Sequence, residues 1–345
     1  MDNTSILALR CRAVQPLRVG EVPSIRSSGR AGSALLLGER ERGAPLNLVV
    51  SRQKHVMAAR LALIIFLITL PHAAMAIDLT SLWDFGKPDL SEQRFRAALA
   101  GASADDALIL QTQIARTYGL RRDFTKSQEI LKGLEPQMST ASAEARARYS
   151  LELGRSYASV THPPDTQTAD ARERARRAYM QAFELAKVEK LDELAVDALH
   201  MLAFVDTAPA DQLKWAQEAL VVVEGSSQPS AKRWEASLHN NIGYALHQLG
   251  RFDDALTEFK KALVLRERGT NVEATRIAHW MVAWTLRALN RTDEALEIQL
   301  RLERERDTAG VPSPYVFEEL EHLYRAKGDE ARSRQYAERA KALPK

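Results

Sequence analysis

IGYALHQLGRFDDALTEFKKALVL, running from Ile242 to Leu265, is the stretch whose reading decides the fold. Between Asp253 and Leu265 the apolar residues Ala255, Leu256, Phe259, Ala262 and Leu263 recur at i, i+1, i+4, i+7 and i+8. That is one face of a helix and not the alternation of a strand. Gly243, Gly250, Ala255 and Ala262 supply the small residues that a close helix approach needs, and Phe252 and Phe259 the aromatics that fill between helices. The stretch reads as a helix-turn-helix hairpin.

With Gly243 as a ruler, the same hairpin falls upstream on Ala115 (QTQIARTYGLRRDFTKSQEILKGL), Gly154 (SLELGRSY) and Ala203 (ALHMLAFV). Downstream it falls on Ala283 (MVAWTLRALNRTDEALEIQLRL) and Glu321 (ELEHLYRAKGDEARSRQYAERAKAL). The intervals are 39, 49, 40, 40 and 38 residues, which predicts an all-α solenoid of about six hairpins. Breakers lie between the helical segments: THPPDTQTAD from Thr161, EGSSQPS from Glu224, RGTN from Arg268 and AGVPSP from Ala309. The stretch around Pro163 and Pro164 reads as a loop inserted in the second hairpin, either a tolerated surface insertion or a functional loop.

The spacing resembles the tetratricopeptide repeat, although its interval exceeds that motif's roughly 34 residues. Glu321 replaces the small residue in the last copy, the Ala203 copy has a short link through Pro209, and no copy carries proline at the usual closing position. The resemblance implies an elongated surface that holds another protein, with the first helix of each hairpin lining a concave groove. The outward positions it implies are Asn240, Tyr244 and His247 in the Gly243 copy, Trp280, Trp284 and Arg287 in the Ala283 copy, and Glu318, His322 and Arg325 in the last. Earlier copies offer Arg116, Arg155, His200 and Phe204. Amides, guanidinium groups and rings suit an extended peptide. The lysine of the family's carboxylate clamp is absent at Asn240, so that clamp is not expected. The four-residue spacing of Trp280 and Trp284 equally describes a buried stripe.

Residues 57–76, MAARLALIIFLITLPHAAMA, have one cation at Arg60, an apolar run from Leu61 to Leu70, Pro71, and the small-x-small end Ala74-Met75-Ala76. This is the layout of a secretory signal peptide cleaved after Ala76. The run is too short to remain as a membrane span, which needs about 20 residues. Residues 1–56 read as an over-extended start or a disordered leader, 77–102 as an N-terminal cap segment, and 103–345 as the repeat domain. Around Trp83 and Phe85 the cap segment is too irregular for helix, and a docking tail is its alternative role.

Residues 1–76 hold ten Lys and Arg against four Asp and Glu, so the rest of the chain carries a net −3 and no basic stripe. Nucleic-acid binding is therefore not expected. The only cysteine is Cys11, so the mature chain forms no disulfide. Phosphate-loop, His-Glu-x-x-His, Gly-x-Ser-x-Gly and Cys-x-x-Cys motifs are missing. His239 and His247 lie about 12 Å apart by helical rise, too far to share a metal. The pairs Asp253-Asp254 and Glu318-Glu319 read as first-turn charges on helix dipoles, and Ala171 to Arg177 as a solvated helix face. The expected function is that of a periplasmic scaffold that binds a protein or peptide without catalysis, cofactor or metal. A ligand-sensing or regulatory subunit is the alternative.

Overall fold

The computed structural model describes residues 77–344, so the signal peptide expected at 57–76 and the leader before it lie outside the described residues. The described residues are helical throughout, with no strand among them. After a short helical turn at Leu79–Leu82, α1 (Pro88–Ala98) precedes six hairpins. These are α2 (Ala104–Leu120) with α3 (Phe124–Leu134), α4 (Ala143–Tyr157) with α5 (Ala169–Val188), and α6 (Asp192–Val205) with α7 (Pro209–Gly225). There follow α8 (Glu235–Gln248) with α9 (Phe252–Glu267), α10 (Val272–Ala288) with α11 (Thr292–Thr308), and α12 (Pro314–Ala326) with α13 (Glu330–Lys341). Every ruler residue falls in the first helix of its hairpin.

Local chemistry explains where the helices begin and end. Ser103, Asp123, Ser142, Thr168, Asn271 and Asp329 each accept a hydrogen bond from a backbone N–H of the following first turn. Four hairpins turn through a residue with positive φ seven positions after the ruler: Arg122, Gly250, Asn290 and Gly328. In each, the next backbone N–H reaches back to a first-helix carbonyl, as from Arg251 to Leu246 at 2.9 Å, closing a left-handed C-terminal cap. The other two hairpins replace this turn. Pro209 opens α7 at its first position, where no N–H is required.

The second hairpin carries the inserted loop, and that loop is folded against the protein. His162 stacks on Phe124 of α3 at 3.5 Å and is bonded to the Ser159 N–H and hydroxyl, and the Gln167 amide donates to the His162 carbonyl at 3.1 Å. The segment before α1 is more ordered than its composition suggests. Asp78 caps the short turn, and Trp83 stacks on Phe85 at 4.5 Å, meets Phe95 edge-on at 4.9 Å and donates to Gln113 at 3.1 Å.

The core consists of two clusters of apolar side chains between the hairpins, with Leu220 packed against both. Tyr179, Leu199 and Leu202 anchor it in the middle, and Phe259, Met281, Leu302 and Leu320 towards the end. Small residues let paired helices approach. A Cβ on Gly243 would stand 2.8 Å from the Phe259 ring, and one on Gly154 would overlap Tyr179. Tyr179 is fully buried and its hydroxyl donates to the Ala158 carbonyl at 2.7 Å, so the ring has nowhere to go. Gly154→Ala is expected to destabilise the protein by about 1–3 kcal/mol through overpacking, more than offsetting the roughly 1 kcal/mol gained in helix propensity. Urea denaturation checks this, and Tyr179→Leu in the same chain should make the alanine tolerable.

Candidate functional site: the face of the first helices

The first helices form a row joined side chain to side chain. Arg116 of α2 lies 3.7 Å from Glu152 of α4, and Arg155 of α4 pairs with Asp197 of α6 at 2.5 Å while also holding Glu152 at 2.6 Å. His200 of α6 meets the Asn241 amide of α8 at 3.4 Å. The His247 ring of α8 stacks on Trp284 of α10 at 3.4 Å, and Arg287 of α10 grips Glu319 of α12 with two hydrogen bonds of 2.7 and 2.9 Å. Each successive pair of first helices is thus linked.

These ion pairs have an inside and an outside. The Glu152 and Glu319 side chains are each 2% exposed, whereas those of Arg116 and Arg287 are 24% and 30% exposed. In these two pairs the carboxylate is the buried partner and the guanidinium the more exposed one, whereas Arg155 and Asp197 are covered alike, at 12% and 13%. At Arg155 burial works against the charge, but Asp197 and Glu152 outweigh it and hold the guanidinium protonated. Burial likewise opposes ionisation of Asp197, and the charges of Arg155 and Arg116 overcome it, so its carboxyl titrates below the usual range. Burial, with repulsion from Arg155, lowers the pKa of Arg116.

The residues expected at outward positions divide by burial. Asn240, Tyr244, Trp280 and Trp284 are buried, as is His200. The Trp280 indole donates to the Tyr315 carbonyl at 3.2 Å and stacks near Trp284 at 5.8 Å, so the two tryptophans form the packed stripe that their spacing also allowed. His247, Arg287, His322, Phe204, Arg116 and Arg155 are half-buried, and Arg325 is exposed and paired with Glu321. Glu318-Glu319 is not a first-turn pair, because α12 begins at Pro314 and Glu319 is the buried partner of Arg287. Asp253-Asp254 does occupy the first turn of α9. Sequence reasoning passed over Glu152, Asp197 and Asn241, and read Glu319 only as a helix-start charge. Of these only Asp197 carried a signal, a carboxylate within the largely apolar stretch from Leu194 to Val205.

Burial, reinforced by the charge of Arg287, depresses the pKa of His247 to about 4. Between that value and an unfolded value of about 6.5 the unfolded chain binds the extra proton, so stability rises with pH across this window. The stability this group contributes is full above about pH 6.5 and is lost as pH falls towards 4. Burial pushes His162 and His279 in the same direction. His247→Gln is expected to flatten the dependence of Tm on pH between 6.5 and 4 without abolishing it. An unchanged slope would mean that His247 is solvated.

The fourth and fifth hairpins carry a recognised signature. Residues 234–303 match the tetratricopeptide repeat family. The whole described stretch is a tetratricopeptide-like solenoid, and the repeat it shares with that family is the α8/α9 hairpin and its successor. No curated protein matches the chain. Among solved structures, it aligns with a Signal Transduction ATPase with Numerous Domains that has a tetratricopeptide repeat sensor, from Pyrococcus horikoshii, with a TM-score of 0.57 and 14% identity. That alignment covers 74% of this chain and 39% of the other, so the chain spans well under half of that protein's length and the likeness is one of fold. BtubC from P. vanneervenii aligns at 15% identity and a TM-score of 0.43 over 77% of this chain and 91% of its own. The apo quorum sensor NprR from B. thuringiensis aligns at 12% identity and 0.28 over 76% and 95%.

Proposed function

We propose that this tetratricopeptide-like solenoid is an exported, periplasmic adaptor or assembly factor that holds an extended segment of a partner protein against the row of its first helices. The observation that carries this reading is the layered ion pairing of that row. Buried carboxylates hold Arg116, Arg155 and Arg287, and the partly exposed Arg287 guanidinium is restrained above Glu319 before any partner arrives, which lowers the ordering cost of binding. Its N–H donors suit the carbonyls of an extended chain. His247, His322, Arg325 and Phe204 complete the accessible lining, while Asn240, Tyr244, Trp280 and Trp284 form the packed floor that positions it. The proposed action is binding without catalysis. Among the described residues, no helix is long and apolar enough to cross a membrane.

Two measurements test the reading. Fractionation and N-terminal sequencing of the chain expressed with its leader in a Gram-negative host should find it in the periplasm, starting at Ile77; full-length protein in the cytosol would remove the export claim. Immobilised residues 77–345 should retain one partner from periplasmic extract. Arg325→Ala with His322→Ala should weaken that partner by about thirtyfold, as loss of an interface hot spot does, with the helical circular dichroism unchanged. Equal retention by the double variant would exclude this face. The second reading is a sensor subunit, and a small metabolite that stabilises the protein in the absence of any partner would favour it.

A further inference from the structure

A basic recess lies on the fourth hairpin, apart from the side chains that link one first helix to the next. Where α8 begins and α9 ends, Lys232, Arg233, Glu235, Ala236, Leu265, Arg266, Gly269 and Asn271 enclose a cavity of about 170 Å³. A more open hollow of about 490 Å³ adjoins it, sharing Glu235 and Leu265 and adding His239, Thr257, Lys260, Lys261, Val264 and Arg268. The α9 contributors are spaced at i, i+3, i+4, i+7 and i+8 from Thr257, one stripe of that helix, which the C-cap residue Arg268 continues. His239 precedes Asn240 by one residue and so points about 100° away from it around α8.

The smaller cavity is built around a buried cation. Arg266 is only 9% exposed, donates to the Ser237 hydroxyl at 2.7 Å, and is held below its ordinary pKa by burial. Lys232 and Arg233 stand at the same cavity, together with Glu235. Lys232 is tethered to the Glu224 carbonyl at 3.1 Å and Arg233 lies 3.8 Å from Glu193. In the outer hollow, Lys261 and His239 are bridged by Glu258, while Lys260 and Arg268 add two further cations on the same helix face. A local excess of positive charge on a domain whose net charge is negative draws an anion to this place. The 170 Å³ recess admits one tetrahedral oxyanion beside planar N–H donors. Val264 and Leu265 offer apolar surface next to it.

We propose that this recess binds a phosphate group, with Arg266, Lys232 and Arg233 as its donors and the remainder of a phosphate-bearing ligand lying along Val264 and Leu265 towards Lys260 and Lys261. The shared chemistry is the phosphate, from either a soluble metabolite or a lipid headgroup. The site is distinct from the partner-binding face, because none of its residues is among the side chains that link the first helices.

Calorimetric titration of residues 77–345 with inorganic phosphate tests it, with sedimentation of phosphatidylglycerol vesicles as the second arm. The expected result is saturable low-millimolar phosphate binding, weakened about tenfold or more by Lys232→Ala with Arg233→Ala, as loss of charge-assisted hydrogen bonds requires. Arg266→Gln should abolish it. Lys126→Ala in the first hairpin should bind as wild type. Because Arg266→Gln alters a buried residue, the exposed Lys232/Arg233 pair carries the decision if that chain does not fold. Co-sedimentation competed by phosphate assigns a lipid source, and phosphate binding without co-sedimentation a soluble one. Absence of saturable phosphate binding, or equal weakening by Lys126→Ala, overturns the proposal.

Discussion

Arg155→Leu is expected to destabilise the N-terminal half of the solenoid by about 3–5 kcal/mol, the cost of leaving buried charges unpaired. The guanidinium lies between Glu152 and Asp197, and both carboxylates sit below the surface. Arg116 cannot replace it, since it stands 3.7 Å from Glu152 and is itself disfavoured as a cation by burial. Replacing the acids as well, as Arg155→Leu with Glu152→Leu and Asp197→Leu, should recover most of the loss, because a well-packed apolar cluster is often no less stable than a buried ion network. Chemical denaturation followed by circular dichroism reads both effects. The loss should concentrate in the second and third hairpins, since repeats in a solenoid contact only their neighbours. If Arg155→Leu melts as wild type, the network is solvated and the layered arrangement of the row is wrong.

Trp284→Ala should cost a similar amount, about 3–5 kcal/mol, as deletion of a buried aromatic side chain does. Its ring is 7% exposed and touches His247, Tyr244 and Trp280, so it is the centre of an aromatic stack spanning α8 and α10. Partner binding should fall only as far as unfolding explains, and iodide should leave the fluorescence of Trp280 and Trp284 largely unquenched in the free protein. A Trp284→Ala variant with wild-type stability and lost binding would instead make this side chain a direct contact.

The architecture was legible because it rests on local rules repeated along the chain. The hairpin turns follow from one left-handed residue at a fixed distance from each ruler position, and the two copies without it are those whose links contain Pro163 and Pro209. The close approach at Gly243 is equally local, since only a missing Cβ admits the Phe259 ring. The composition of the row was harder to read. Whether Trp284 faces inward or outward depends on the angle at which α8 meets α10, which no spacing within α10 reveals. Glu319 read as a helix-start charge, but α12 begins at Pro314, which places Glu319 beyond the first turn and opposite Arg287. Ion pairs such as Arg155–Asp197 join residues 42 positions apart and are fixed by hairpin stacking, so each partner alone resembles an ordinary surface charge.

Photo-crosslinking in the living host tests most directly whether the row of first helices holds a partner. A benzophenone amino acid placed at Phe204, His322 or Arg325 should yield the same crosslinked protein from all three positions. Placed at Val188 or Val221, exposed on the second helices α5 and α7, it should yield none. Crosslinks to one partner from Val188 and Val221, with none from the three first-helix positions, would contradict the account.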